Sequence, residues 1–336
     1  MGNYQFVIQD SRVLASRHLL HDGFVFTSIT FPANIYDTIV IKHPHNIQCR
    51  SPRIAGSLRS LQDHIDFINR HEIEKALIIA DNIDFITQCP SLKYLRIIPA
   101  DDAGNGFDYS PLYEMPIIKS LQCATVYGAK EEFFTCVDCS KLKGLESIHV
   151  TDDGRINYRN VATLKDLGFT NYRMPDLSNA FNSSVLDTLT VMQSQIKSLE
   201  GIQKSNKMQC LYLYGNRSLQ DIGALRNVKK TLRALRIENC PKINDFSVLS
   251  ELENLELLEL SGSNTLPNLN FLRSMKSLKT FTFSMNVLDG DLSLCLGLSY
   301  AYSERNRKHY NLKDAALPKG KYVRGNEDID EWRRRE

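Results

Sequence analysis

No apolar run in this chain of 336 residues approaches the ~18 that a membrane-crossing helix needs. The opening stretch MGNYQFVIQD has no basic region followed by a hydrophobic core, so neither a transmembrane span nor a secretory signal is visible. Gly2 does not open a myristoylation signal, because Phe6 stands where Ser or Thr is needed. Charge of one sign is also lacking. With 41 basic against 39 acidic residues the net charge is +2, which removes the electrostatic case for nucleic acid or an anionic membrane as main partner. The motifs of common chemistries are missing too: no Gly-x-Ser-x-Gly elbow, no phosphate loop ending in Gly-Lys-Ser/Thr and no dinucleotide fingerprint. The reading is therefore of a chain that is not an enzyme and carries no cofactor.

Partial metal motifs fail on spacing. Cys136 and Cys139 form a CxxC, but no second CxxC or His-x3-His completes a zinc site, so they read as two ordinary thiols. His71 and Glu72 open a His-Glu-x-x-His pattern in which Lys75 occupies the second ligand position. His43 and His45 flank Pro44 in what reads as a surface turn, and Ala100 to Asp108 lacks the alternating spacing of a calcium loop. Eight cysteines without a signal suggest reduced thiols and a cytoplasmic chain. The glycosylation sequon at Asn216 fits the same location if that asparagine is buried.

What is abundant is a period. In QCLYLYGNRSLQDIGAL, residues 209–225, leucines fall two apart at 211 and 213, Asn216 follows, and apolar residues resume at steps of three. Two is the strand period and three to four the helical one, so extended backbone gives way to helix-like backbone around the asparagine. The pattern apolar-x-x-apolar-x-apolar recurs from Leu164, Leu186, Met208, Leu232, Leu255 and Leu278 at steps of 22 to 24 residues. Upstream, looser steps reach Leu145, Ile118 and Leu92, then Leu77 and Ile79 with Glu74 in the first slot; downstream, Leu298, Ala301, Ser303 and Asn306 form a degenerate last copy. Fixing about 22 residues costs roughly 1–2 kcal/mol of backbone entropy each, and six or seven apolar side chains return only about 1.5–3 kcal/mol apiece. One copy cannot stand alone, so copies must stack.

Met208 to Leu219 and Leu232 to Ile243 follow L-x-x-L-x-L-x-x-N/C-x-L almost letter for letter, with Asn216 and Cys240 in the Asn/Cys slot, and here the chain resembles the leucine-rich repeat family, most similar to its short bacterial and SDS22-like classes. The resemblance implies an α/β fold: a horseshoe solenoid whose parallel strands line a concave sheet, with N- and C-terminal caps. The domain reading is 1–72 as N-terminal cap, 73–310 as repeats in one continuous core and 311–336 as C-terminal cap and tail. The cap should hold a strand over 35–42, with Ile39 and Ile41 on one side, and a helix over 58–77, with Leu58, Leu61, Ile65 and Ile68 at helical spacing. The C-terminal stretch, with the only tryptophan at 332 and Arg333, Arg334 and Arg335, reads as a frayed cap, with a basic docking tail as alternative. Some bacterial members append a ubiquitin-ligase domain with a catalytic cysteine; the residues after 310 contain no cysteine.

Corner residues Ser194, Asn216, Cys240, Ser263 and Asn286 should form a ladder that satisfies backbone groups at the bend. Alternate strand residues should point away from the core, exposed on the concave face. There Tyr212, Tyr214, Arg236, Glu238, Glu259, Tyr300 and Tyr302 combine residue types enriched in interface hot spots, which makes them the candidate partner-binding set. The functional reading is a non-catalytic protein–protein interaction module whose partner is another protein. The alternative is a regulator or inhibitor of an enzyme, like a phosphatase adaptor or a toxin-immunity protein.

Overall fold

The computed structural model describes residues 12–14, 18–27, 37–43, 59–100, 107–123, 137–152, 154 and 156–325. The chain divides into two compact units, Met1–Tyr158 and Arg159–Glu336. Cys49, Cys136, His45, Leu58, residues 101–106 and the tail containing Trp332 and Arg333 to Arg335 lie outside the described residues.

The first unit holds β1 (Arg12–Leu14), β2 (His18–His21), β3 (Phe24–Thr27), β4 (Thr38–His43), α1 (Leu61–His71), β5 (Lys75–Ala80), β6 (Tyr94–Pro99), β7 (Ser120–Cys123), β8 (Val137–Asp138), β9 (Ser147–Thr151) and β10 (Ile156–Asn157). From β1 to β4 the strands pair antiparallel, and from β4 through β5, β6, β7 and β9 they pair parallel. Strand β8 pairs with β10 on its own.

Helix α1 is shorter than the 58–77 expected. Ser60 caps it: its hydroxyl accepts from the Asp63 N–H while the Asp63 carboxylate accepts from the Ser60 N–H, a reciprocal pair that satisfies two first-turn donors. Glu72 then adopts a left-handed conformation and stops it. Beyond it KALIIA, apolar at every residue after Lys75, forms a buried strand instead. Its phase also corrects the sequence register. Ala76 and Ile78, not Leu77 and Ile79, pair with Leu95 and Ile97. A one-residue slip exchanges the faces of a strand, and a strand apolar on both faces gives the sequence no means of choosing. Leu77 instead packs with Val25, Val40 and Ile98.

The second unit holds β11 (Asp166–Thr170), β12 (Thr188–Met192), β13 (Cys210–Tyr214), β14 (Ala234–Glu238), β15 (Leu257–Ser261), β16 (Thr265–Leu266), β17 (Thr280–Phe283), β18 (Asn286–Val287) and β19 (Tyr300–Ser303). Strands β11, β12, β13, β14, β15, β17 and β19 form one parallel array in the expected register, with Leu189, Leu211, Leu235, Leu258, Phe281 and Ala301 in line. These side chains are buried against the returning segments. The returns are 3-10 helices, such as Gly223–Val228 and Ser247–Glu251. That explains the last of the steps of three: Leu225 and Val228 fall on one side of a helix with 3.0 residues per turn, with Leu219 and Ile222 in the bend that leads into it. Several returns open on an Asx turn, with Asp221, Asp245 and Asp291 accepting from the N–H of Gly223, Ser247 and Ser293.

The corner ladder forms, with two substitutions. The Ser194 N–H donates to Asn216 Oδ1 at 2.9 Å, and Asn216 Nδ2 donates to the Val191 carbonyl at 2.8 Å. The Ser194 hydroxyl accepts from the Tyr172 N–H, and Cys240 is buried at the next corner. Beyond it Asn264 takes the role expected of Ser263, donating to the Cys240 and Ile243 carbonyls, and Ser263 is exposed. Ser284 rather than Asn286 accepts from the Gly262 N–H. The asparagine here stands four residues after Leu260, one more than separates Asn216 from Leu213, so the ladder residue shifts with it.

Candidate functional site

On the side of the second unit's sheet away from this core, the front face, side chains lie in rows set by the strand register. One row reads Thr190, Tyr212, Arg236, Glu259, Thr282 and Tyr302. Beside it on one side run Thr188, Cys210, Ala234, Leu257, Thr280 and Tyr300, and on the other Met192, Tyr214, Glu238 and Ser261. All seven residues singled out from the sequence therefore share this face.

Their exposure is not uniform. Tyr214 and Tyr302 are each 40% exposed, whereas Tyr212 is only 8% exposed, and Cys210, Ala234, Leu257 and Thr280 are fully buried. The expectation that alternate strand residues would all point into solvent fails along this row. The cover is the chain's own segment 318–325. Val323 packs into a cluster with Cys210, Tyr212, Ala234 and Leu257, joined by Tyr322. The Val323 N–H donates to Thr280 Oγ1 at 3.0 Å, and Arg236 Nη2 donates to the Arg324 carbonyl at 3.2 Å. Gly325 lies so close that a Cβ there would come within 2.5 Å of the Tyr212 hydroxyl oxygen. At the β19 end the Ala301 N–H donates to the Pro318 carbonyl, and the Gly320 N–H to the Ser299 carbonyl, each at 2.9 Å. Lys319 Nζ lies over the rings of Tyr300 and Tyr302 at 5.4 and 5.1 Å and pairs with Asp314 at 2.7 Å.

Electrostatically the face is acidic around one arginine. Arg236 pairs with Glu259 at 3.1 Å and stacks over Tyr212 at 5.0 Å. Glu238 has its carboxyl pushed up, first by burial and then by Glu259 and Glu304. Burial raises the Tyr322 phenol, with Glu259 adding to it and a hydrogen bond with Arg236 opposing. At the C-terminal ends of the strands a cleft of about 570 Å³ opens beside Tyr214, lined by Gln193, Gly215, Arg217, Asn239 and Ser263 among others.

The other candidates separate. Cys139 is buried, its thiol pushed up to about 12 by burial first and Asp138 second. The His71 ring packs at a tilt against Phe67 at 4.3 Å, Lys75 pairs with Asp37 at 2.5 Å, and His43 ends β4. The sequence missed Tyr322, Val323 and Lys319. Their only signal is two apolar residues, YV, inside an otherwise polar stretch.

No family model and no curated protein matches the chain. Among solved structures it is similar to an internalin, InlF, from Listeria monocytogenes str. 4b F2365, at 16% identity and a TM-score of 0.50, covering 76% of each chain. The chain has a leucine-rich repeat fold. Two more distant similarities are both at 16% identity. They are the functional domain of InlJ from Listeria monocytogenes, at a TM-score of 0.38 with 63% of this chain and 52% of that one covered, and TLR13 in complex with ssRNA13, at 0.31 with 70% and 42% covered. In leucine-rich repeat terms, the front face is the strand-lined side of the repeat stack. No helix among the described residues is long and apolar enough to cross a membrane.

Proposed function

We propose that the chain is a non-catalytic protein-interaction module that binds a protein partner through the front face of the second unit, with Tyr214, Glu238, Glu259, Tyr300 and Tyr302 as contacts and Tyr212 and Arg236 as their support. The observation that carries this reading is the convergence of aromatic and charged side chains from β13, β14, β15 and β19 on one surface, with Tyr214 and Tyr302 exposed at its two ends. Across four strand spacings the two tyrosines stand about 19 Å apart, a span suited to a protein surface rather than a small molecule. In this reading 1–72 and 311–336 cap the repeats, and the C-terminal cap in addition lays residues 318–325 across the front face. Six described cysteines are buried free thiols, which supports a reducing, cytoplasmic setting.

Affinity capture from the native host tests it, comparing the wild-type chain with Tyr214→Ala/Tyr302→Ala and with Gln220→Ala on the outer side. A partner lost by about 30-fold from the double variant and retained by Gln220→Ala supports the face. Equal recovery from all three places binding elsewhere. The narrower reading, a partner enzyme held inactive, predicts that adding the chain suppresses that partner's turnover; scaffolding predicts no suppression.

A further inference from the structure

Segment 318–325 occupies the front face as a ligand would. It is held by backbone bonds at the β19 end through Pro318 and Gly320, at Thr280 of β17 through Val323 and at Arg236 of β14 through Arg324, while Val323 and Gly325 reach Leu257 of β15 and Tyr212 of β13. The segment thus touches every strand of the array from β19 to β13. Its Lys319 meets two tyrosine rings, Tyr322 meets the Tyr300 ring edge-on at 5.1 Å, and Val323 fills the apolar hollow over Ala234 and Leu257. Three cations, Lys319, Lys321 and Arg324, fall within it, on a face that carries Glu238, Glu259 and Glu304 close to one another.

We infer that residues 318–325 are a built-in self-ligand, and that the partner inserts into the same groove an extended peptide segment with basic residues around an aromatic–aliphatic pair. This rests on the reading of the front face as a protein-binding surface. It goes further by naming what that surface selects. The hollow takes a β-branched or aliphatic side chain because Cys210, Ala234 and Leu257 offer it no polar partner. Thr280 Oγ1 and Arg236 select backbone, one accepting an N–H and the other donating to a carbonyl, so they tolerate any sequence in extended form. The carboxylates then favour a basic strand over an acidic one. A partner must displace the tethered segment, so apparent affinity is reduced by the fraction of molecules in which the groove is open.

A fluorescein-labelled peptide of sequence PKGKYVRG, titrated by anisotropy against full-length protein, tests the assignment. The proteins are the wild type, Val323→Asp, which should unseat the segment, and the milder Val323→Ala, which keeps its backbone bonds if the aspartate hinders folding. Melting curves establish that each is folded. The peptide should bind the variants at least about tenfold tighter than the wild type. A peptide with Glu at its two Lys and one Arg positions should bind none of them. Equal affinity for wild type and folded variants, or no binding to any, overturns the self-ligand. A concentration-dependent dimer of wild type in sedimentation that Val323→Asp dissolves assigns the groove to the segment of a second copy and overturns the partner peptide. Failure of the broader reading looks different: host protein is captured without dependence on Tyr214 and Tyr302, whatever the peptide does.

Discussion

At the scale of single residues, the repeat is held by side chains that do the work of backbone. Asn216 is fully buried and spends both ends of its amide on main-chain groups of the preceding repeat. Asn216→Ala strands those groups and should cost about 1–3 kcal/mol in urea denaturation, against near-neutrality for the exposed Ser263→Ala. Gly201 is constrained more severely. Its φ is 101°, and a Cβ would sit 2.4 Å from the backbone of Leu177 and Ser178, so Gly201→Ala should cost about 2 kcal/mol or more. Glu238 gives a pH signature. Its folded carboxyl lies above the ordinary value of 4.5, so folding favours the protonated form, and its contribution to stability rises as pH falls through the range just above that value. At neutral pH the carboxylate is a liability. Glu238→Gln should raise the melting temperature at pH 7 and lose that advantage at pH 4; a gain of the same size at both values would remove the titration argument.

At the scale of elements, legibility followed periodicity. Strand register from β6 onward could be read because each strand has one apolar and one mixed face, whereas the steps of three in Leu219, Ile222, Leu225 and Val228 gave a helix-like return without specifying its tight 3-10 form. Where both faces are apolar, as in Lys75–Ala80, the alternation carries no phase, and the sequence placed Leu77 where Ala76 belongs. The corner ladder was legible to within two residues, Asn264 standing in for Ser263 and Ser284 for Asn286, because the shift depends on how each bend closes over the preceding corner. The cover of the front face was not legible at all: Val323 is apolar only against Cys210 and Ala234, more than 80 residues away in sequence. That docking changes what a front-face substitution does. Tyr212→Ala should not be neutral but should cost about 3 kcal/mol, since it opens a cavity under Gly325 and Val323. The exposed Tyr214→Ala should stay within about 0.5 kcal/mol. Equal losses for the two would mean that Tyr212 is as free in solution as Tyr214.

At the scale of the whole molecule, thiols buried in both units couple stability to alkaline pH. Burial leads the causes at each of them: Cys89 is pushed up to about 11, and Cys139, Cys210 and Cys295 to about 12, from an ordinary value near 9.0. An apolar surrounding penalises the thiolate and leaves the thiol untouched, so the folded chain holds these protons after an unfolded chain has begun to release them. The sign follows from linkage: these groups contribute their full stability below pH 9 and lose it as pH rises from about 9 toward 12, because only the unfolded state gains by ionising in that window. Melting temperature should therefore fall steeply between pH 9 and 11 while it changes little between pH 7 and 8.5. Lysines and tyrosines titrate over part of the same range, so the attribution needs a comparison. The triple variant Cys139→Ala/Cys210→Ala/Cys295→Ala, although less stable at pH 7 for lack of packing, should show a flatter alkaline limb than the wild type. Alkylation supplies the independent check: at pH 8 iodoacetamide should modify the native thiols orders of magnitude more slowly than the urea-unfolded ones, because reaction follows the thiolate fraction and access. Parallel alkaline limbs in the two proteins, with native alkylation as fast as unfolded, would place these sulfurs at the surface and remove them from the core of the repeats.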